Sequence, residues 1–359
     1  MADFQKTNRK GRGAQVNPPN RFERTHIEVD FEQLEPADAL DPPRIPTVFL
    51  PNDTRRLICE NDSPDVGFRY SINPYRGCEH GCSYCYARPT HELVGMNAGL
   101  DFESKILVKH DAPQLLRFEL ASEKWQPETI SISGVTDCYQ PAERKFRLTR
   151  GCLEVLLEAR QPAGIISKNV LMLRDLDLLV PMAELNLVQV FLSITTLDDQ
   201  LARTMEPRTA SPAAKLRAIR ELSAAGIPVG VMVAPVIPGL TDCEMPKILE
   251  AAKEAGALTA GYVLLRLPWA VQPIFEDWLE RNYPLKAPKV LALIRSTRGG
   301  KMYKADWGLR MRGQGEYAEQ IANTFKVFRK KHGLDQSIPP LDTSNFRPPR
   351  VEIGQMRLF

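Results

Sequence analysis

Residues 73–92 read NPYRGCEHGCSYCYARPTHE and hold three of the chain's seven cysteines, Cys78, Cys82 and Cys85. The spacing is Cys-x3-Cys-x2-Cys. Pro74, Gly77, Gly81 and Pro89 around it suit a loop rather than a helix or a strand. Three thiolates within eight residues of loop can converge on one point. Soft thiolate ligands select zinc, cuprous copper or an iron–sulfur cluster. A structural zinc site wants a fourth ligand and usually a distant second cysteine pair. No such pair exists here, although His80 inside the loop could close a zinc site. Three buried free cysteines would serve no packing purpose in so hydrophilic a loop.

The rest of the chain bounds what such a loop can belong to. At 359 residues it exceeds one typical domain but suits a single α/β barrel with tails. A hydrophobic share of 43% is ordinary for a globular protein, so a barrel core is within reach, and a net charge of +3 decides nothing globally. The other cysteines, Cys59, Cys138, Cys152 and Cys243, are scattered without a Cys-x2-Cys pair. That argues for a reducing compartment, the cytoplasm, and against a disulfide framework. The segment MADFQKTNRKGRG has no apolar core of a signal peptide, and no apolar run approaches the length of a membrane span.

Residues 1–24 carry Lys6, Arg9, Lys10, Arg12, Arg21 and Arg24 against Asp3 and Glu23, with Gly11, Gly13 and Pro18-Pro19 opposing regular structure. They read as a mobile basic arm. The acidic stretch Glu28–Asp41 follows, with Ile27, Val29 and Phe31 in an edge-strand alternation, and then a proline-rich connector. The expected domains are an arm and connector over 1–56, a core barrel over 57–300, and a C-terminal helix and tail over 301–359. Within the core, strands are expected at 68–72, 129–133, 164–167, 187–195, 228–234 and 261–267. Helices are expected at 113–124, 149–160, 175–185, 212–225 and 242–255, then at 270–298 and 313–332. Gly226 and Gly256 stop two of them. Strands alternating with helices imply a parallel sheet, and right-handed crossovers curl it into a partial (β/α)6 barrel. Chemistry then belongs at the C-terminal ends of the strands, where the cysteine loop lies.

With Tyr84 before the third cysteine, the loop resembles the signature of the radical S-adenosylmethionine (radical SAM) enzymes. Tyr86, completing Tyr84-Cys85-Tyr86, resembles the spore photoproduct lyase-like branch. The resemblance implies a 4Fe–4S cluster on Cys78, Cys82 and Cys85, with the fourth iron open to S-adenosylmethionine, and Tyr84 packed on the adenine. It implies a 5′-deoxyadenosyl radical that abstracts hydrogen from a substrate. It also implies an external electron donor such as flavodoxin or ferredoxin.

The barrel reading directs attention just past each strand. After the second comes Gly134-Val-Thr136-Asp137-Cys138-Tyr-Gln-Pro. The Gly-Gly-Glu motif common in the superfamily is absent, and the pattern resembles the lyase-like branch instead. Gly134 permits close backbone approach, and Thr136 or Asp137 could accept from an ammonium group; a tight turn capped by either is the structural alternative. Lys168, after the third strand, is a natural carboxylate partner, or else a solvated lysine. Ser193 and Thr195 resemble ribose contacts, Arg208 in Glu206-Pro207-Arg208 could pair with an acidic group, and 232–238 (MVAPVIP) would face adenine. By the same resemblance Cys138 and Tyr86 are the candidate catalytic residues, Cys138 as a hydrogen-atom donor or as a small buried thiol. DNA repair is one expectation for the substrate. Modification of a peptide, an RNA or a small molecule is a second, and a non-enzymatic electron carrier or sensor a third. The basic arm and the cluster Lys326, Arg329, Lys330 and Lys331 motivate a nucleic-acid partner.

Overall fold

The computed structural model describes residues 9–23, 45–336, 338 and 340–351. The edge-strand alternation at Ile27–Phe31, the acidic stretch, Lys6 and Arg24 lie outside them. The elements begin with β1 (Val48–Pro51), β2 (Ile58–Glu60), β3 (Tyr70–Ile72), β4 (Tyr75–Arg76), α1 (Leu100–Ser104), β5 (Lys105–Val108) and α2 (Ala112–Leu120). Next come β6 (Ile130–Ile132), α3 (Glu143–Phe146), α4 (Leu148–Glu158), β7 (Ala163–Ser167), α5 (Leu176–Glu184) and β8 (Val188–Ser193). Then follow α6 (Asp199–Met205), α7 (Pro212–Ala224), β9 (Val229–Val236), α8 (Met245–Glu254) and β10 (Thr259–Leu264). Helices α9 (Val271–Asn282), α10 (Ala287–Ser296), α11 (Leu309–Arg312) and α12 (Glu316–Lys331) complete the order.

The main sheet runs β10-β9-β8-β7-β6-β3-β2. The six strands from β3 to β10 pair in parallel, and only β2 is antiparallel. These six are the expected ones, and β3 does not pair with β10, so the barrel is partial, as expected. Local chemistry explains the helix limits. The Ser211 hydroxyl caps α7 by accepting from Ala214 N–H, Pro212 occupies its first turn, and Gly226 ends it at φ +77°. The apolar stripes of α2, α4, α5, α7, α8 and α12 close on the sheet in one core that includes Leu116, Leu153, Leu179, Ile219, Ile248, Ile321, Val190 and Val231. Each such burial is worth roughly 1.5–3 kcal/mol. A second core lies beside the cysteine loop: Tyr84, Met205, Ile237, Leu265, Val271, Phe275 and Trp278.

Three expectations change. The helical stretch 270–298 is two helices, broken around Pro284. A small sheet β1-β5-β4, absent from the sequence reading, braces the entrance to the cysteine loop. Its strands are too short to carry a readable alternation. The described part of the basic arm is packed against the protein: Arg12, Gly13 and Ala14 are buried in an irregular strap across the cysteine loop. Its glycines and prolines do exclude helix and strand, but hydrogen bonds to Glu103, Asn97 and Glu92 hold it in place. The tail beyond Gly333 runs over the surface, where Arg347 N–H reaches Ala159 O at 2.8 Å.

Candidate functional site: a pinned cysteine loop at the barrel mouth

The loop after β4 is fixed by its backbone. Cys78 N–H donates to Phe102 O (2.9 Å), Ser83 N–H to Met205 O (3.0 Å), and Glu79 N–H to the Gln140 side chain (2.9 Å). The Gln140 amide returns a hydrogen bond to Gly77 O at 3.0 Å. Behind the loop, Arg88 is fully buried. Its donors reach Cys82 O, Ala98 O, Gly99 O and the Glu103 carboxylate. Glu103 in turn accepts from the N–H groups of Gly13 (3.0 Å) and Ala14 (2.8 Å). A buried ion pair survives when its remaining donors and lone pairs are satisfied in this way.

Cys78, Cys82 and Cys85 are all free thiols, and the first two are buried. Burial pushes each thiol up, and for Cys78 the carboxylate of Asp137 and the two neighbouring cysteines push it further. A thiolate at these positions is stabilised by a bound cationic centre, which zinc and an iron–sulfur cluster both supply. The zinc alternative loses its fourth ligand. The His80 ring faces Asp137 through Nδ1 (3.3 Å) and Asn169 through Nε2 (3.2 Å). Among the described residues no three His, Cys, Asp or Glu side chains close on a single-ion site. A polynuclear centre spreads its thiolates over a larger body than one ion does.

Beside the loop, three strand ends meet in a buried polar hub. Tyr84 and Thr195 donate their hydroxyls to Glu206, and Lys168 (3.2 Å) and Lys215 (3.0 Å) flank its carboxylate. Burial pushes the Glu206 carboxyl up, but Lys168 and Lys215 outweigh it and hold the group below the carboxylate range. Lys168 Nζ also donates to Thr195 Oγ1 (3.1 Å) and Ala234 O (2.8 Å). Its three N–H groups thus have partners, and the carboxylate it holds is the protein's own.

The remaining expected residues fall as follows. Asp137 accepts from Ser167 Oγ (2.7 Å), Lys168 N–H (2.7 Å), Tyr139 N–H (2.9 Å) and the His80 ring. Burial raises its carboxyl, yet the His80 ring and these donors bring it below the usual range. Thr136 donates to Tyr75 O at 2.8 Å, and its N–H reaches Asn73 Oδ1. Thr136 thus ties the turn after β6 to the segment entering the cysteine loop, and Asp137 ties it to the end of β7 and to His80. Gly134 packs on Ser71, and its carbonyl accepts from the half-exposed Tyr86 hydroxyl at 2.7 Å. Ser193 ends β8 in the buried wall. Arg208 pairs with Glu79 (3.3 Å) and donates to Gly11 O (3.0 Å), tying the strap to the loop rather than facing the mouth. Cys138 lies in the main core, 1% exposed, its carbonyl held by Thr149. Such burial is what the small-thiol reading expects, whereas the hydrogen-donor reading needs a path from the thiol to the mouth.

Lys215, Arg88 and Glu103 escaped the sequence reading, and Arg12 entered it only as a charge of the basic arm. Lys215 carried a signal: it sits on the buried stripe of α7 with Pro212, Ala218, Ile219 and Leu222. A lysine there needs a buried partner. Glu103 and Arg88 carried none, since their pairing depends on where the strap folds back.

The sequence pattern of the Radical SAM superfamily matches residues 72–252. An uncharacterised protein of Mycobacterium tuberculosis is 39% identical over 230 residues, 64% of this chain and 68% of that one. One from Methanocaldococcus jannaschii is 32% identical over 224 residues, 62% and 80% of the two chains. Among solved structures, a spore photoproduct lyase variant with bound AdoMet and dinucleoside spore photoproduct superposes with a TM-score of 0.59 at 17% identity, covering 80% of this chain and 79% of that one.

Proposed function

This chain belongs to the radical SAM superfamily, and from that premise we propose that it is a radical enzyme acting on a nucleic-acid substrate at the face marked by Tyr86. Its cofactors are those of the family, a 4Fe–4S cluster and S-adenosylmethionine. We assign the cluster to Cys78, Cys82 and Cys85, and the observation that carries this is three free thiols on a loop pinned by Phe102, Met205, Gln140 and Arg88. When bound, the pair supplies a 5′-deoxyadenosyl radical for hydrogen abstraction.

The chain's own residues bind, orient and exclude water. The Arg88–Glu103 pair and the strap seal the back of the loop. Tyr84, set by its hydrogen bond to Glu206, presents a fixed ring beside the third cysteine. Lys168 lies with Nζ 5.5 Å from the centre of that ring, so the hub couples the loop to the ends of β7, β8 and β9. Tyr86 is half-exposed, with its hydroxyl on Gly134 O just past β6, and in this reading it is the aromatic surface that the substrate meets.

Two observations favour nucleic acid over a peptide or a small molecule. The fold resembles that of spore photoproduct lyase, whose solved form holds a dinucleoside photoproduct. Exposed Tyr86 lies beside Arg266, whose guanidinium carbon is 5.0 Å from the ring centre and which has no ion pair among the described residues, whereas the arginines beside the exposed Trp307 and Trp269, Arg310 and Arg21, are paired with Asp65 and Glu92. Paired aromatic and cationic groups are how single strands are held without sequence preference. The basic arm gives no such support, because Arg12 and Arg21 are engaged with Glu103 O and Glu92.

Anaerobic reconstitution tests the reading. It should give about four irons and four sulfides per chain, and reductive cleavage of S-adenosylmethionine to 5′-deoxyadenosine. Zinc alone, or iron retained after all three cysteines become alanine, would sink the cofactor assignment.

A further inference from the structure

We propose that Arg266 is the seat of a phosphate carried by the substrate, a role that rests on the nucleic-acid reading above. Arg266 follows β10, and its guanidinium lies 5.0 Å from the Tyr86 ring centre, while the Tyr86 hydroxyl is bonded to Gly134 O just past β6. Strands β6 and β10 are separated by three others in the sheet. A contact between their ends therefore crosses the open mouth of the partial barrel, where a substrate must pass.

The donors of Arg266 are poorly used. Its Nε is buried with no hydrogen-bond partner, and Nη1 finds only the weakly accepting sulfur of Met311 at 3.5 Å. Among the described residues no carboxylate stands within ion-pair distance of it. The acid that acts on it, Asp65, is bonded to Gly308 N–H and Arg310. The neighbouring cations do not compensate. Arg298 donates to the carbonyls of Leu264, Leu265 and Leu309, and Arg312 to that of Tyr262. The mouth beside Tyr86 thus holds uncancelled positive charge and an idle planar fork.

A guanidinium fork matches the oxygens of phosphate or carboxylate in bidentate fashion. The exposed Tyr86 ring favours phosphate here, because it offers a stacking surface for a base next to such a phosphate. A phosphate on Arg266 would set the register of the strand and bring one nucleotide against Tyr86.

The reconstituted holoenzyme is titrated with a short fluorescein-labelled single-stranded DNA, by anisotropy, at several salt concentrations. Arg266→Gln should weaken binding about tenfold at low salt and reduce the slope of log K against log salt by about 0.7, the loss of one phosphate contact on a single strand. Iron content and melting temperature should match the parent. If Arg266→Gln loses iron or melts early, Arg266→Lys carries the test: affinity down several-fold with the slope unchanged supports the seat, and unchanged affinity overturns it. Equal slopes for the parent and Arg266→Gln overturn the seat and leave the nucleic-acid reading standing. A fall in S-adenosylmethionine affinity with the DNA slope unchanged also overturns it, assigning the anion to the cosubstrate. If the parent binds neither single-stranded nor duplex DNA at low salt, the nucleic-acid reading itself falls and the seat falls with it.

Discussion

Gly13 of the strap lies so close to Gly81 of the cysteine loop that a Cβ on Gly13 would fall 1.7 Å from the Gly81 carbonyl oxygen. The atom it would meet is backbone, which cannot swing aside as the end of a side chain can. On the Gly81 side, Cβ would lie 2.6 Å from Glu103 Oε2, and φ there is +65°. Strap, loop and Glu103 thus close on one another with room for hydrogen only.

Gly13→Ala should therefore displace the strap, cost about 1–3 kcal/mol or more, and lower the iron retained after reconstitution. Gly67→Ala is the control, since a Cβ there meets nothing within 4 Å. Paired denaturation curves and iron assays check this. Equal stability of the two variants would mean that the strap does not bear on the loop.

Removing Lys215 or Glu206 alone should be costly, because each leaves an uncompensated buried charge. Lys215→Met is expected to lose about 3 kcal/mol, and Glu206→Gln at least as much, since Lys168 and Lys215 then face each other. The double variant should lose less than the sum. Urea midpoints of all four proteins give the coupling.

His91 supplies a pH dependence. Burial pulls its imidazole down to about 4, Nε2 bonds to Lys105 O at 2.9 Å, and Nδ1 has no partner. The folded state therefore holds the ring neutral while the unfolded chain takes up a proton below about 6.5. The stability is fully present above that value and is lost as pH falls through about 4. Between pH 7 and 5 this group should remove about 2 kcal/mol. The difference in unfolding free energy between the parent and His91→Gln should narrow over that interval. A constant difference would show that the ring is not held neutral.

Cys138→Ala should behave as a small core truncation, losing roughly 1–2 kcal/mol without changing the product or its deuterium content. A changed product distribution would place the thiol in the reaction despite its burial.

Tyr86→Phe should keep its iron and melting temperature, since the lost hydroxyl sits on an exposed ring bonded to Gly134 O. Product formation should fall by tenfold or more if the ring and hydroxyl meet the substrate. Turnover of S-adenosylmethionine alone should change less, which separates a substrate contact from a cofactor contact.

What could be read without coordinates was whatever is local in the chain. The period-2 and period-3.6 patterns of β6 to α8, ended by Gly226 and Gly256, carried the parallel α/β order, and the Cys78, Cys82 and Cys85 spacing carried the soft-metal chemistry. Glu206 was visible only as part of a motif. What tertiary structure alone decided was the partner of each charge. Arg12 and Arg21 look like a free polycation in sequence, yet they are bonded to Glu103 O and Glu92, about ninety and seventy residues away. Lys168 and Asp137, expected from their positions to meet the cosubstrate, also bond within the protein, to Glu206 and to Ser167 and His80. Arg266, unremarked in sequence, is left beside Tyr86 without an acid. Hydrophobic periodicity is a property of neighbours along the chain, so it survives in one dimension. Charge pairing in a low-dielectric interior depends on distances across it, and those exist only once the strap, the loop and the strand ends have been brought together.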